Sequence, residues 1–402
     1  MSLRDWYANR ELLLTGVTSE AGRALLEKIL RSFPNVKVYA ILRARHGFNV
    51  DDRIKNIFLS PRFERLRQQE PNAIYRVKAL EGNLLYDGLG TTKSDGELLR
   101  NVSVVLHAAG PCHVLFRFCK ELPRLEAVVA FASIFQMESQ PVDGSVALVR
   151  VPLLGPPVHE PMPGFVDVLK GSTALAVGAG LALGNSQFQA EIVPIDLAVN
   201  TLIAVARERA TTAKSVETTT TTTIYNAVPI ECTWGDLIKK GGRGNQKFTY
   251  PTFGLRGMTS IQPLYWILVL LFEWLPCAIC DAILGQLGAK KRLLQEHRRV
   301  RNALRSLESI SSRPWSVERN RVYLLHQRLA PLDQDAFPVV TEIDIESYVL
   351  CAAAAAKKHC VDESNIRLVK IFRLLFFFLV AAALFCTFLF YRYHVPAKHH
   401  RL

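Results

Sequence analysis

The chain has 402 residues, of which 49% are hydrophobic and 21% are charged. This composition excludes a disordered chain and predicts a globular protein of two or three domains. The formal net charge of +13 suits an anionic partner, such as a phosphorylated cofactor, a lipid surface or nucleic acid. A solvated basic surface is the plainer alternative.

The eight cysteines are too few for a disulfide scaffold, and their positions form no paired metal-ligand pattern. Cys277 and Cys280 lie in an apolar run with no second pair, so we interpret them as buried or membrane-facing thiols and predict no metal site. The N-terminus lacks the apolar stretch of a secretory signal. We therefore expect the N-terminal part of the chain in the cytosol, with its thiols reduced.

The first 42 residues follow the pattern of a β-α-β unit. Residues 11–16 form a short apolar run that ends in glycine, residues 21–33 carry apolar side chains at helical spacing, and residues 36–42 are apolar again. Further strands are predicted at 77–80, 102–108, 128–132 and 146–149. This order predicts an α/β domain over residues 1–210, with a doubly wound, Rossmann-like parallel sheet.

A glycine-containing turn follows the first strand and opens the first helix. It reads TGVTSEAG, and its candidate phosphate-binding residues are Thr15, Gly16, Thr18, Ser19 and Gly22. A glycine lets the backbone approach a pyrophosphate, and the helix N-terminus offers free N–H groups. Ser19 stands where a middle glycine is usual, and its Cβ narrows the room for the pyrophosphate. A strand-to-helix turn without a ligand is the alternative interpretation.

The end of the second predicted strand distinguishes two nicotinamide cofactors. A carboxylate there would bind the ribose hydroxyls of NAD, but residues 43–46 read RARH and contain no acid. Arg43 is therefore predicted to bind the 2′-phosphate of NADPH through charge-assisted contacts. A solvent-facing basic loop is the alternative.

The C-terminal half changes composition twice. Residues 211–223 include six consecutive threonines, which predict a flexible surface loop. Residues 264–287 are very apolar but interrupted by Glu273, Pro276 and Asp281. They favour a helical hairpin, packed in the protein or lying in a membrane interface, over a spanning helix.

Residues 374–391 contain no charged side chain. At 1.5 Å per residue such a helix is ~27 Å long, close to the hydrocarbon thickness of a bilayer. We therefore predict a single transmembrane helix near the C-terminus. The excess of Lys and Arg on its N-terminal side predicts that the main domain is cytosolic.

Short motifs along nearly the whole chain match one known family in order. They are DWYANR at 5–10, the TG turn, ILR at 41–43, EGNL at 81–84, VVLHAA at 104–109, PMPGFVD at 161–167, VGAG at 177–180, IVPIDLAVN at 192–200, RPWS at 313–316 and DIESY at 344–348. Together they resemble the alcohol-forming fatty acyl-CoA reductases, and they look most like the insect branch. The resemblance implies an extended short-chain dehydrogenase fold with a mostly helical C-terminal fatty-acyl-reductase domain at 224–365.

The resemblance also implies a reaction and its partners. Members of the family use NADPH to reduce a long-chain fatty acyl-CoA to a primary alcohol through an aldehyde. They lie on the endoplasmic reticulum or peroxisome with a cytosolic active site, so membrane lipid is an expected partner. A homo-oligomer, or a hetero-oligomer with related reductases, is compatible with this assignment. No nucleic-acid partner is expected, because the basic residues form no groove-reading module.

Five residues acquire expected roles from the resemblance. Asn83 and Leu84, with Asn83 in place of an Asp near the adenine, match cofactor-binding positions, as do Ala108 and Ala109. Ser133 matches the family's catalytic serine, which helps to hold the oxyanion.

The sequence departs from the family at its catalytic pair. The family places a Tyr and a Lys four residues later on one helix, where the phenol protonates the oxyanion, but none of the 11 tyrosines here has Lys at that spacing. Ser133 and Val146 are too close in sequence for the crossover between them to present a catalytic helix as well. We therefore expect the first domain to be internally shortened at about 111–145.

Three accounts of the departure remain. The chain is a relative that has lost activity, a splice or gene-model form that lacks an exon, or an enzyme in which another residue supplies the proton. His107 and His113 are candidates for that residue, although a strand-end histidine in a packed core is more commonly structural.

Overall fold

The structure, a computed structural model, describes residues 1–45, 47–110, 113–135, 146–166, 180–213, 222–244, 256–286 and 293–360, residue 173, and a few residues between 374 and 392. His46, residues 136–145, most of the predicted Thr-rich loop and much of the predicted helix at 374–391 lie outside the described residues. The described residues within 374–391 are helical.

Strands and helices alternate through the first half of the chain. The strands are β1 (Glu11–Thr15), β2 (Lys37–Leu42), β3 (Val77–Glu81), β4 (Val104–His107), β5 (Ala127–Ser133), β6 (Val146–Val151), β7 (Leu153–Gly155), β8 (Leu181–Leu183), β9 (Ile192–Pro194), β10 (Thr223–Asn226) and β11 (Gly257–Thr259). The helices are α1 (Leu3–Tyr7), α2 (Glu20–Ser32), α3 (Val50–Leu59), α4 (Glu64–Gln69), α5 (Lys93–Leu99), α6 (His113–Cys119), α7 (Ile195–Ala213), α8 (Trp234–Gly244), α9 (Gln262–Val269), α10 (Leu275–Gln286), α11 (Leu293–Ser311), α12 (Asn320–Arg328), α13 (Pro331–Ala336) and α14 (Ile345–Cys360).

Seven parallel strands form the main sheet, in the order β10-β6-β5-β4-β1-β2-β3. Leu12 of β1 lies opposite Val38 of β2 on one side and Val104 of β4 on the other. The strand order therefore reverses direction at β1, which creates a crevice at the carboxyl ends of β1 and β4. The predicted doubly wound parallel sheet is confirmed, and all six predicted strands belong to it.

Both faces of the sheet are buried, because alternate side chains along each strand point to opposite faces. Leu12 and Leu14 belong to the core that includes side chains of α2 and α7. Leu13 and Tyr39 belong to a second core with side chains of α5 and α6. Helices thus cover both faces and leave the carboxyl edge of the strands to form a site.

The chain divides into two compact units, each built from three segments. The first contains residues 1–166, 188–233 and 314–352, and the second contains residues 167–187, 234–313 and 353–402. The first unit holds the seven-stranded sheet and the short parallel pair of β7 and β9. The second holds the parallel pair of β8 and β11 with helices α8 to α11. The domain boundaries predicted from the sequence stay a prediction.

The helical hairpin expected at 264–287 is wrong. Residues 262–286 form one uninterrupted helical run, in which a π-helical segment (Leu270–Trp274) joins α9 to α10. The Leu275 N–H bonds to the carbonyl of Leu270, and this wider turn accommodates Pro276, which has no N–H of its own to donate. Within the described residues, Gln262–Ala282 is the one helix that is long and apolar enough to cross a membrane.

Candidate cofactor and active site

Two glycines bring the start of α2 close to the ends of β1 and β4. Gly16 has a φ of +79°, and a Cβ on it would lie 2.5 Å from the carbonyl oxygen of Ala108. A Cβ on Gly22 would lie 2.1 Å from the carbonyl oxygen of Gly16. Both positions therefore require glycine. The turn places the helix N-terminus, with its N–H groups and positive dipole end, in the crevice.

Ser19 bridges this turn to the segment after β4. Its hydroxyl oxygen caps α2 by accepting the N–H of Gly22 at 2.9 Å, and its O–H donates to the Ala108 carbonyl at 2.9 Å. The side chain in place of the usual middle glycine is thus held toward β4. Thr18, beside it, is exposed, and Ala109 is half-buried next to Ala108.

Thr15 and His107 form a buried pair beneath the turn. Thr15 Oγ1 lies 2.6 Å from His107 Nδ1, and Nε2 of the same ring lies 2.6 Å from the Gly110 carbonyl oxygen. A carbonyl only accepts, so Nε2 carries the ring proton and Nδ1 accepts the threonine O–H. Burial lowers the pKa of His107, which keeps the ring neutral.

The two histidines that are candidate proton donors lie in different surroundings. His107 uses both ring nitrogens inside the fold, so its role in this arrangement is structural. His113 is exposed at the start of α6. The threonine of the TG motif is likewise engaged below the turn, and its side chain is not directed at a ligand.

Arginines surround the end of β2. Arg43 and Arg45 follow the strand and are exposed, and the guanidinium of Arg53 on α3 donates to the Arg43 carbonyl. No carboxylate stands at residues 43–45. This end of the sheet therefore offers positive charge where a ribose 2′-substituent of a dinucleotide would lie.

The loop after β3 reaches the same edge. The Gly82 N–H donates to the Leu42 carbonyl at 2.9 Å, which ties this loop to the end of β2. The Asn83 side-chain oxygen accepts the Leu85 N–H at 3.2 Å, and Leu84 packs against the core on that face. Asn83 and Leu84 thus line the edge beside Arg43.

Ser133 ends β5, two strands from β1 and so ~10 Å away across the sheet. Its hydroxyl oxygen accepts the Phe135 N–H at 3.2 Å, so its own O–H remains a donor. The ring of Trp315 meets the ring of Phe135 edge-on at 4.8 Å. Motif spacing did not predict that Trp315 contacts Phe135, two residues after Ser133, although RPWS was among the matched motifs.

The segment that carries Trp315 is anchored to the same unit. Arg319 donates to both carboxylate oxygens of the buried Glu191, at 2.9 and 2.8 Å. The Asn226 amide donates to the Glu318 carbonyl at 2.7 Å. These bonds hold the aromatic pair at the carboxyl edge, where it can form an apolar wall.

The crossover from β5 to β6 is very short. The two strands are parallel neighbours, with Val128 opposite Val146, so the chain must return about 17 Å along the strand within residues 134–145. Those residues contain neither Tyr nor Lys. The crossover therefore brings no phenol and ammonium pair to the site.

Known proteins match the chain on both sides of this crossover. Residues 14–124 match the NAD-binding domain of a family described as male sterility protein, and residues 272–363 match its Sterile domain. The chain is 22% identical to mouse fatty acyl-CoA reductase 1, over 90% of this chain and 87% of the relative. It is 23% identical to the Drosophila fatty acyl-CoA reductase wat, over 83% of this chain and 81% of the relative. The chain thus contains both domains of the male sterility family and is homologous to the fatty acyl-CoA reductases over most of its length.

Solved structures of reductase domains share the fold of this chain. The reductase domain of a nonribosomal peptide synthetase from Mycobacterium tuberculosis gives a TM-score of 0.57 at 14% identity, over 87% of this chain and 91% of that one. The terminal domain of the myxalamid pathway gives 0.54 at 13% identity, over 88% and 92%. At these identities the likeness shows the Rossmann-like reductase fold.

The mouse reductase contains residues that this chain lacks, as the length of the matched region shows. It runs over 458 positions although the whole chain has 402 residues. The family relationship and a shortened chain are therefore compatible.

Proposed function

We propose that this chain binds NADPH at the carboxyl edge of the sheet, with the turn after β1 on the pyrophosphate and Arg43 on the 2′-phosphate. The observation that carries the proposal is the close fit of Gly16 and Gly22, where a Cβ would meet backbone atoms at 2.5 and 2.1 Å. That approach presents the first N–H groups of α2 to a phosphate. When bound, NADPH supplies the hydride for carbonyl reduction.

The other proposed site residues orient ligand and substrate. Asn83 and Leu84 flank the adenine side of the edge, while Ala108 and Ala109 leave room above β4 because their side chains are small. The Ser133 hydroxyl accepts the Phe135 N–H, and its O–H would donate a hydrogen bond to the oxyanion of a reacting carbonyl.

Arg43→Asp tests the cofactor assignment. The variant removes a cation and adds a carboxylate that suits ribose hydroxyls, so we expect NADPH affinity to fall by at least ~10-fold while NADH affinity holds or rises. Fluorescence titration with both nucleotides measures this, with Arg100→Asp, an exposed arginine just after α5, as the matched control. Equal weakening of both nucleotides, or of neither, contradicts the proposal.

We also propose that the substrate is a long-chain fatty acyl-CoA and that the family reaction yields the alcohol through the aldehyde. The reductases that match over most of their length support this, and the net charge of +13 suits the phosphates of CoA. A helix at 374–391 would hold the chain on the endoplasmic reticulum or peroxisome with the sheet in the cytosol. Membrane lipid and a related reductase chain are the proposed partners.

A second candidate function is favoured by the short crossover and by the engaged His107. In it the chain binds NADPH or acyl-CoA on a membrane without turning them over. General-acid catalysis typically contributes 10²–10⁴-fold, so we expect this chain to form alcohol at least ~10³-fold more slowly than the mouse reductase.

Two measurements separate these candidates from an incomplete isoform. Membranes that contain the chain are supplied with NADPH and labelled acyl-CoA, and aldehyde and alcohol are quantified. Alcohol at the rate of the mouse reductase excludes the non-catalytic function. Sequencing the transcript across codons 133–146 shows whether a longer form exists that encodes the missing segment.

A further inference from the structure

The helical run at 262–286 exposes apolar side chains and turns its charges inward. Its only charged residues are Glu273, which is buried, and Asp281, which is half-buried. Ten large apolar side chains in and just before it are exposed: Ile261, Leu264, Trp266, Ile267, Leu270, Leu271, Phe272, Trp274, Leu275 and Ile279. A surface helix of a water-soluble domain shows the reverse arrangement, so this outer face meets something other than water.

The inner face is fixed to its own unit by a buried polar cluster. Glu273 accepts the backbone N–H of Leu181 in β8 at 2.8 Å and lies 3.0 Å from Nε2 of His297. Arg301 donates to Glu273 at 3.1 Å and to the Leu181 carbonyl at 2.6 Å. The other carboxylate, Asp281, accepts two backbone N–H groups at the start of α11. The helix is thus bound to a strand and to a second helix.

We propose that the outer face of this run lies along the surface of an anionic lipid bilayer, with its apolar side chains at the boundary of headgroups and acyl chains. Gln262–Ala282 is long enough to cross. Crossing would draw β8, its hydrogen-bonded partner β11 and the ionic cluster into hydrocarbon. A two-stranded sheet has open edges whose N–H and C=O groups hydrocarbon cannot satisfy, so the helix lies flat.

The composition of the face favours lipid over a protein partner. Trp266 and Trp274 are side chains typical of the headgroup level of a membrane. The guanidinium of Arg305 on α11 lies 5.7 Å from the centre of the Trp266 ring, which places a cation at the rim of the apolar face. Arg298 and Arg299 are also exposed on that helix. Cations beside an apolar stripe complement anionic headgroups.

Photo-crosslinking of the full chain in vesicles tests this surface. Benzoylphenylalanine is incorporated singly at positions 264, 271 and 279, and the chain is reconstituted in phosphatidylcholine vesicles that contain phosphatidylserine. Leu332, an exposed leucine of α13, is the control position. We expect lipid adducts at all three positions at least ~5-fold above the control, on acyl-chain carbons of similar depth.

Each alternative gives a distinct adduct. Deep adducts at 271 with headgroup-level adducts at 264 and 279 would mean that the helix spans the bilayer, which overturns the proposal. Adducts to a second copy, or to residues 361–402 of the same chain, would assign the face to a protein contact and also overturn it. Lipid adducts at the three positions no more abundant than at position 332 would show that this face does not contact the bilayer, which also overturns the proposal. None of these readouts depends on cofactor binding or activity.

Discussion

At the scale of single residues, the pair of Thr15 and His107 shows how a motif position can serve the core. The threonine of a TG turn stands at the end of a strand, and here its hydroxyl satisfies the neighbouring ring, whose other nitrogen bonds to Gly110. Thr15→Val leaves Nδ1 buried without a donor. We expect this variant to lose ~1–3 kcal/mol of stability, measured by denaturant unfolding.

The same histidine predicts a pH dependence of stability. Burial lowers its pKa below the ordinary value near 6.5, so the unfolded chain binds the proton more readily than the folded one. The free energy of unfolding therefore rises with pH between the folded pKa of His107 and ~6.5. The contribution of the neutral ring is lost as pH falls below ~6.5. His107→Gln should flatten the slope between pH 7 and 5, whereas His113→Gln, on an exposed side chain, should keep it. An unchanged slope in the first variant would show that His107 does not titrate there.

At the scale of elements, the crossover between β5 and β6 is where this chain departs from the family's catalytic pattern. Strand pairing survives with 12 residues between the strands, because an extended chain of that length easily covers the ~17 Å return. It leaves no length for an additional helix that presents side chains to the edge. The sheet can therefore be intact although this crossover carries neither Tyr nor Lys.

A chimera tests this explanation. Residues 134–145 are replaced by the corresponding segment of mouse fatty acyl-CoA reductase 1, and alcohol formation is measured with NADPH and a long-chain acyl-CoA. We expect at least ~10²-fold faster turnover, since the transferred segment restores general-acid catalysis. The control is a chimera in which residues 134–145 are replaced by a Gly/Ser segment as long as the mouse segment. A chimera that folds and binds NADPH without this gain would show that more than the crossover is missing.

At the scale of the whole molecule, Glu160 ties distant segments of the first unit together. Its carboxylate pairs with Lys28 and Arg31 of α2 and lies 3.4 Å from Arg65 of α4. Lys28 also donates to the Ala336 carbonyl at the end of α13 at 2.7 Å. A single acid thus helps to hold the C-terminal part of this unit against its first helices.

Removal of that acid should show in a pH titration of stability. Burial raises the pKa of Glu160, but the nearby Lys28 and Arg31 outweigh it and lower the value to about 2. Because the folded pKa of Glu160 is depressed, its ionised carboxylate stabilises the folded state above pH ~4.5. This contribution to the free energy of unfolding is lost as pH falls toward 2. We expect Glu160→Gln to cost ~2–4 kcal/mol at pH 7 and progressively less below pH 4.5, by thermal unfolding. Glu97→Gln, at an exposed pair, should change stability by less than ~0.5 kcal/mol.

Local patterns were enough to predict six strands of the sheet and the glycine turn. An apolar run that ends in TG, followed by a helix with a serine cap, constrains its own backbone, and Gly16 and Gly22 take the places that the motif requires. The hairpin prediction for residues 264–287 is wrong because Pro276 and Glu273 interrupt the apolar pattern without interrupting the helix. A spacing pattern does not show the π-helical turn that accommodates Pro276. Nor does it show that the Leu181 N–H of β8 donates to the Glu273 carboxylate.

Amino-acid order alone thus indicated the fold class, the resemblance to a family and the absence of any Tyr with Lys four residues later, since each depends on short local patterns. Folding in three dimensions added the neutral state of His107, the contact of Trp315 with Phe135, and the inverted helix at 262–286. These features join residues tens to nearly two hundred positions apart. Their energies come from burial and from partners that a linear pattern does not contain.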